Sequence, residues 1–280
     1  MTNDINDIKV SAARGLSDAY RRIFAGKANT PAWAVHKKSP PDELVHCPIP
    51  FVGKDYPTAP IKILLYASAE NLCGYNGYLD CDDIALDRHR RWFNESAARQ
   101  DSFFPNVHIE PISDGCLATV AFYIYSKLAV AENISPSEFL ERICFANYCK
   151  YTIQSASNVD YASNPKKLAE SREYIASDTA ILRPDIIIMP QSIYKHENDF
   201  MSGISGGAMI IPIFQINCRT INCQISKKYP KADASLLDGT VLDWYRHLGA
   251  NGITGKTKEN FLSVFSYLDD VLAGYRQIHT

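Results

Sequence analysis

Four short apolar runs, set apart by long amphipathic stretches, constrain this chain more than any other feature. They are Ile61-Lys-Ile-Leu-Leu-Tyr-Ala67, Ile143-Cys-Phe-Ala146, Pro184-Asp-Ile-Ile-Ile-Met189 and Ala208-Met-Ile-Ile-Pro-Ile-Phe-Gln215. Each is too short for a helix and dominated by apolar residues, so each reads as a buried strand. Residues 84–93, 117–131 and 167–182 carry apolar side chains at helical spacing between the runs. Strands alternating with helices predict an α/β protein with a doubly wound sheet of four mainly parallel strands.

The ends of the chain extend this pattern. Ile8, Ala12, Leu16, Tyr20 and Phe24 are spaced as one face of a helix, able to pack on the core or on a partner. Proline-rich residues 31–60 read as an extended arm on the surface. Phe261, Val264, Phe265, Leu268 and Leu272 share a face of a closing helix over 256–273. The expected organisation is a helix and arm over 1–60, packed on a single domain over 61–280.

At 280 residues and 46% hydrophobic content, the chain can bury a core without disulfides or metals. Charged residues make up 21% of it, and the formal net charge is −2. That balance argues against disorder, and it leaves a local basic cleft for nucleic acid open. The first residues are acidic and polar, unlike a signal peptide. The longest apolar stretch, 117–131, is interrupted by Ser126 and Lys127 and falls short of a bilayer span. A cytoplasmic monomer without a membrane partner is therefore expected. The eight cysteines form no CxxC pair, which predicts buried thiols in a reducing compartment and neither metal nor other cofactor.

In open parallel sheets, ligands bind outside the carboxyl ends of the strands. The turns after Ala67, Ala146, Met189 and Gln215 are thus the places to look for chemistry. Asn147 follows the second run, and its amide offers a donor and an acceptor on one rigid group. After the first run come Glu70 and Asn71, then Gly74 and Gly77 interleaved with Tyr75 and Tyr78. Glu70 is a carboxylate able to orient water, and the tyrosines are able to stack on a base. Asn217-Cys-Arg-Thr-Ile-Asn222 follows the last run, with Arg219 and Asn222 as possible phosphate or base contacts. Arg88-His-Arg-Arg91 is the densest basic cluster, which makes Arg90 and Arg91 candidates for phosphate contact. Ser202-Gly-Ile-Ser-Gly-Gly207 lacks the GK[ST] of a phosphate-binding loop, and no GxSxG elbow occurs.

Cys144-Phe-Ala-Asn-Tyr-Cys149 resembles the strand-plus-asparagine motif of uracil-DNA glycosylases, and is most similar to their single-strand-selective monofunctional branch. The resemblance extends over roughly residues 60–225. It implies a three-layer α/β/α fold around a central, mainly parallel four-stranded sheet. The implied activity is hydrolysis of the N-glycosidic bond of a flipped base in DNA, which leaves an abasic site. Asn147 then corresponds to the residue that hydrogen-bonds the base. In the loop that corresponds to the family's water-activating Asp or Asn, a gapless match gives Ala69, with Glu70 one residue on and Asn71 next. Asn217 stands where the family has histidine, and Lys150 where it has proline. Tyr75, Tyr78 and Asn217 would line the base pocket, while Arg219, Asn222, Arg90 and Arg91 would meet DNA.

The departures at Ala69 and Asn217 point away from plain uracil toward a modified base. Some members of this superfamily excise glucosylated cytosines from phage DNA in antiviral defence. Asn71, Asn76, Asp80 and Asn217 would suit the hydroxyls of such a base. Two other readings stay open from the sequence. One is an inactive glycosylase fold that binds DNA or a protein; the other is a hydrolase of free nucleosides or nucleotides.

Overall fold

The structure is a computed structural model, which describes residues 50–71, 114–129, 141–153, 164–213 and 255–279, with helical positions between 12 and 26 and Ile134, Glu138 and Phe139. The chain divides into two compact units: Met1–Asn106 with Glu141–Ile210, and Val107–Leu140 with Ile211–Thr280.

The four apolar runs all become strands: β2 (Ile63–Asn71), β3 (Ile143–Ile153), β4 (Ile186–Pro190) and β5 (Met209–Ile213). A fifth strand, β1 (Phe51–Val52), joins them, and the order across the sheet is β1-β3-β2-β4-β5. The sheet therefore has five strands where the sequence predicts four. β2 runs parallel to β3 and β4, while β1 is antiparallel to β3 through Phe51 opposite Phe145 and Val52 opposite Cys144. Ile63–Leu65, Ile143–Phe145 and Ile186–Ile188 are all buried, so side chains pointing to either side are covered, as in parallel sheets.

β1 also corrects the expected surface arm, at least over residues 50–60. Phe51, Val52, Tyr56 and Ala59 are buried, and Tyr56 donates a hydrogen bond to the Leu182 carbonyl. The Gly53 amide bonds to the Ile143 carbonyl at 3.0 Å, and the Asp55 amide to that of Glu141 at 2.8 Å. A Cβ at Gly53 would collide with the Glu141 carbonyl. Gly53→Ala is accordingly expected to cost about 1–3 kcal/mol through overpacking. The check is a lower urea midpoint at unchanged denaturant dependence.

Between β3 and β4 the single predicted helix over 167–182 is two, α2 (Pro165–Ala169) and α3 (Arg172–Leu182). (The labels α1 to α5 number the helices from residue 114 on.) Asn164 caps α2 by accepting from the amides of Lys166 and Lys167. At the break, the hydroxyl oxygen of buried Ser171 accepts a hydrogen bond from the Lys150 amide at 2.9 Å. β1 is only two residues long, so the outer edge of β3 at Lys150 bonds to this hydroxyl instead. α3 closes on Arg183 in the left-handed conformation, followed by Pro184, which cannot continue a helix.

Pro190 ends β4, and α4 (Gln191–Ile204) follows at once, a helix the sequence reading does not contain. The glycine-rich stretch 202–207 is the last turn of α4 plus a tight turn. Gly206 and Gly207 have φ of 63° and 95° there, a region open chiefly to glycine. The described N-terminal positions are helical, as expected, and Leu16 and Tyr20 join the core of the first unit. That core groups Leu64, Tyr66, Cys144, Ala146 and Tyr148 of the sheet with Tyr174, Ile175, Ile193 and Met201 of the helices.

The second unit contains α1 (Asp114–Leu128) and α5 (Gly255–His279), both foreseen from their apolar spacing. Tyr123 stacks on Phe265 with ring centroids 4.0 Å apart, and its hydroxyl donates to Asp269 at 2.8 Å. Phe139 packs edge-on against Phe122 and Tyr125. Among the described residues, no helix is long and apolar enough to cross a membrane.

Candidate functional site

The strand order sets where a ligand can enter. Leaving β1 aside, the strands run second-first-third-fourth in space, so the order in which the chain builds the sheet reverses between β2 and β4. Such a switch point opens a crevice beyond the carboxyl ends of the two strands that border it. Here the register partners of β2 and β4 are Ile63 with Ile186, Leu64 with Ile187 and Leu65 with Ile188. Past them the pairing of β2 among the described residues is with β3, through Tyr66–Ala146, Ala67–Asn147, Ala69–Cys149 and Asn71–Ile153. A parallel two-stranded ribbon thus projects beyond β4 at the switch point.

This ribbon carries three of the residues singled out from the sequence, and it corrects their setting. Asn147 does not follow its strand but lies inside β3, half-buried. Glu70 and Asn71 are the last two residues of β2 rather than part of a turn after Ala67. β3 runs on past its apolar core because its polar residues are accommodated there, Asn147 half-buried and Lys150 buried against Asp178. Positions two apart in a strand share a face. Ala67, opposite Asn147, is thus on its side of the ribbon, whereas Ser68 is in phase with Tyr66. The register shifts between Ala69 and Asn71, where β3 supplies four residue steps against two of β2. Tyr75, Tyr78, Arg90, Arg91, Asn217, Arg219 and Asn222 lie outside the described residues, as do Gly74, Gly77 and the acidic residues from Asp80 to Asp87.

Behind the ribbon is a charged network that the sequence reading missed. Lys150 and Asp178 pair at 2.9 Å with both side chains fully buried. The Asp178 carboxylate also accepts from the hydroxyls of Tyr20, at 2.7 Å, and Tyr66, at 3.0 Å. The Lys150 ammonium lies over the rings of both tyrosines, 5.3 and 5.5 Å from their centroids. Burial raises the Asp178 carboxyl above the ordinary range, against the opposing pull of Lys150 and the tyrosine hydroxyls. Burial first, then the charge and hydrogen bond of Asp178, push the Tyr66 hydroxyl well up, so it stays a donor.

A second cluster neighbours the first. Buried Glu197 of α4 receives two hydrogen bonds from the Arg172 guanidinium, at 2.8 and 3.0 Å, and one from the Tyr148 hydroxyl at 2.9 Å. Burial and the Glu197 charge raise the Tyr148 hydroxyl far above its usual value. Arg172 in turn covers the Phe200 ring. Cys144 and Cys149 are buried thiols, and burial lifts Cys149 well above the thiol range.

The sequence did hold a signal for these groups. Lys150 is the only cation in β3, and Asp178 falls on the buried face of α3 with Tyr174, Ile175 and Leu182. Neither pattern names its partner. Among the described residues, no three His, Cys, Asp or Glu side chains are grouped to hold a metal ion. In comparisons with protein families, curated proteins and solved structures, the chain matches none.

Proposed function

We propose that this protein is a DNA glycosylase with a fold of the uracil-DNA glycosylase type, acting on a flipped and modified base. The observation that supports the reading most is the place of half-buried Asn147, opposite Ala67 in the ribbon beyond the switch point, with Glu70 and Asn71 closing β2. Four residues separate Asn71 from Ala67, the partner of Asn147, a span of roughly 13 Å along the strand. That separation leaves room for a base and one water between the two amides.

In this mechanism Asn147 reads the edge of the extruded base through its donor and acceptor. The side-chain carbonyl of Asn71 accepts a hydrogen bond from a water and holds it toward the anomeric carbon. The water oxygen bonds to that carbon as the bond to the base nitrogen breaks. The bonding electrons leave with the base, and the water's surplus proton passes to solvent or to the departing base. Asn71 is taken ahead of Glu70 for the water because strand alternation counted from Ala67, the partner of Asn147, reaches Asn71. Absence of a histidine at Asn217 favours a base that is a better leaving group or is stabilised by other contacts. A glucosylated cytosine of phage DNA fits the polar residues of the loops.

The test is abasic-site formation on uracil-containing, unmodified, hydroxymethylated and glucosylated-cytosine DNA, each followed by alkaline cleavage. Strand breaks on a modified member alone are expected. Intact strands on every member would overturn the glycosylase reading, and retained DNA binding would then favour an inactive binding module.

A further inference from the structure

The ribbon of β2 and β3 lies where the sheet supports it least. Its pairing with β4 ends at Leu65, and the pairing of β3 with β1 ends at Phe145. Two strands alone are marginal in water. Yet Tyr66, Tyr148 and Lys150, all beyond those limits, are buried. Each ends on a carboxylate: Tyr66 and Lys150 on Asp178, Tyr148 on Glu197. Polar side chains thus tie the ribbon to α3 and α4 where strand pairing has stopped.

Asp178 is the centre of this arrangement. One carboxylate joins β2 through Tyr66, β3 through Lys150 and the N-terminal helix through Tyr20, residues 112, 28 and 158 positions away in sequence. Apolar packing would bury the same surface, but hydrogen bonds to one carboxylate also fix direction. A slip of either strand by one residue would leave a charge buried without its partner, a cost that apolar packing does not impose. The Tyr66 side of the ribbon is held, which leaves half-buried Asn147 on the other side to meet a ligand.

We propose that Asp178 is a positioning residue, which holds the ends of β2 and β3 in the geometry that Asn71 and Asn147 need for the reaction; this rests on the glycosylase reading above. Asp178 touches no substrate in this scheme and acts through Tyr66 and Lys150. Its removal should therefore lower kcat and leave KM nearly unchanged, since the pocket groups remain present but poorly aligned.

The experiment compares the full-length protein with a variant in which the whole network is apolar: Lys150→Met, Asp178→Leu, Tyr20→Phe and Tyr66→Phe. Exchanging the four side chains together removes the buried ion pair with its tyrosine donors, so stability is expected nearer the wild type than for loss of one partner. Two quantities are read on the folded variant: kcat and KM on the DNA that the wild type cleaves, and amide hydrogen exchange over 66–71 and 147–153. The expected result is a kcat lower by about tenfold or more, together with exchange about tenfold faster at those strand ends alone. Wild-type kcat and wild-type exchange would overturn the proposal. Should the fourfold variant not fold, Tyr66→Phe alone is read the same way, and an unchanged kcat and exchange there would also overturn it. If the wild type cleaves no DNA, the glycosylase reading has failed. Exchange then decides by itself whether Asp178 holds the ribbon.

Discussion

Lys150→Met is expected to destabilise the protein by about 3–5 kcal/mol, the usual effect of removing one partner from a buried ion pair. Methionine matches the length of the lysine stem and leaves little cavity. The loss comes from Asp178, whose carboxylate would remain fully buried with only the Tyr20 and Tyr66 hydroxyls as donors. Burial already raises this carboxyl, and Lys150 is the leading influence against it. Without the ammonium the folded-state pKa rises further.

The sign of the pH dependence follows from that direction. A group that holds its proton more tightly when folded favours the folded state in acid, below its unfolded pKa. The advantage is lost as pH rises through the folded pKa. The deficit of Lys150→Met should thus be smallest in acid and grow from the ordinary carboxylate range up to the raised value. Urea midpoints at a series of pH values, for variant and wild type, read both the size and the slope. A deficit that stayed under about 1 kcal/mol at every pH, within the range of exposed pairs, would mean that water reaches Asp178.

What could be read from the sequence was whatever depends on local pattern. Ile186-Ile-Ile-Met189 and Ile63-Leu-Leu-Tyr66 announce strands because every one of their positions is apolar. β1 did not announce itself, because Phe51-Val52 is too short to have a period and becomes a strand only by pairing with Phe145 and Cys144. The continuation of β2 through Ser68-Ala-Glu-Asn71 was hidden for a related reason. Past Leu65 its partner among the described residues is β3, and composition shifts from apolar to polar while that pairing goes on. α4 was obscured by Glu197, which occupies a buried position between Ile193 and Met201 where an apolar residue would complete the stripe. A buried carboxylate breaks the pattern unless its partners, Arg172 and Tyr148, are known.

The same division applies to the candidate site. Asn147 was legible as a polar group in an apolar strand, and Glu70 and Asn71 as polar residues after one. The choice between the last two was not legible, because it depends on register. The pairing of Ala67 with Asn147 supplies the starting point for the count along β2, which the sequence does not hold. Lys150 read as a departure from a family motif, when in the fold it is half of a buried ion pair with Asp178.

The second large effect is expected from that register. Asn71→Ala should lower kcat on the cleaved DNA by about 10²-fold, as losing the orientation of one reactant does. Glu70→Gln should stay close to wild type. Strand periodicity, not charge, then decides which residue can share a ligand with Asn147. A carboxylate would be the stronger base, and on chemistry alone Glu70 would be preferred. The two grounds therefore make opposite statements about one pair of variants. Asn147→Ala serves as the reference, since loss of a base-reading amide lowers kcat/KM whichever residue holds the water. If Glu70→Gln abolishes turnover while Asn71→Ala spares it, phase along β2 is not what selects the water-holding group. The shift between Ala69 and Asn71 would then have rotated the end of the strand by one position. If Asn71→Ala and Asn147→Ala both fail and Glu70→Gln does not, the two amides work across the same ligand.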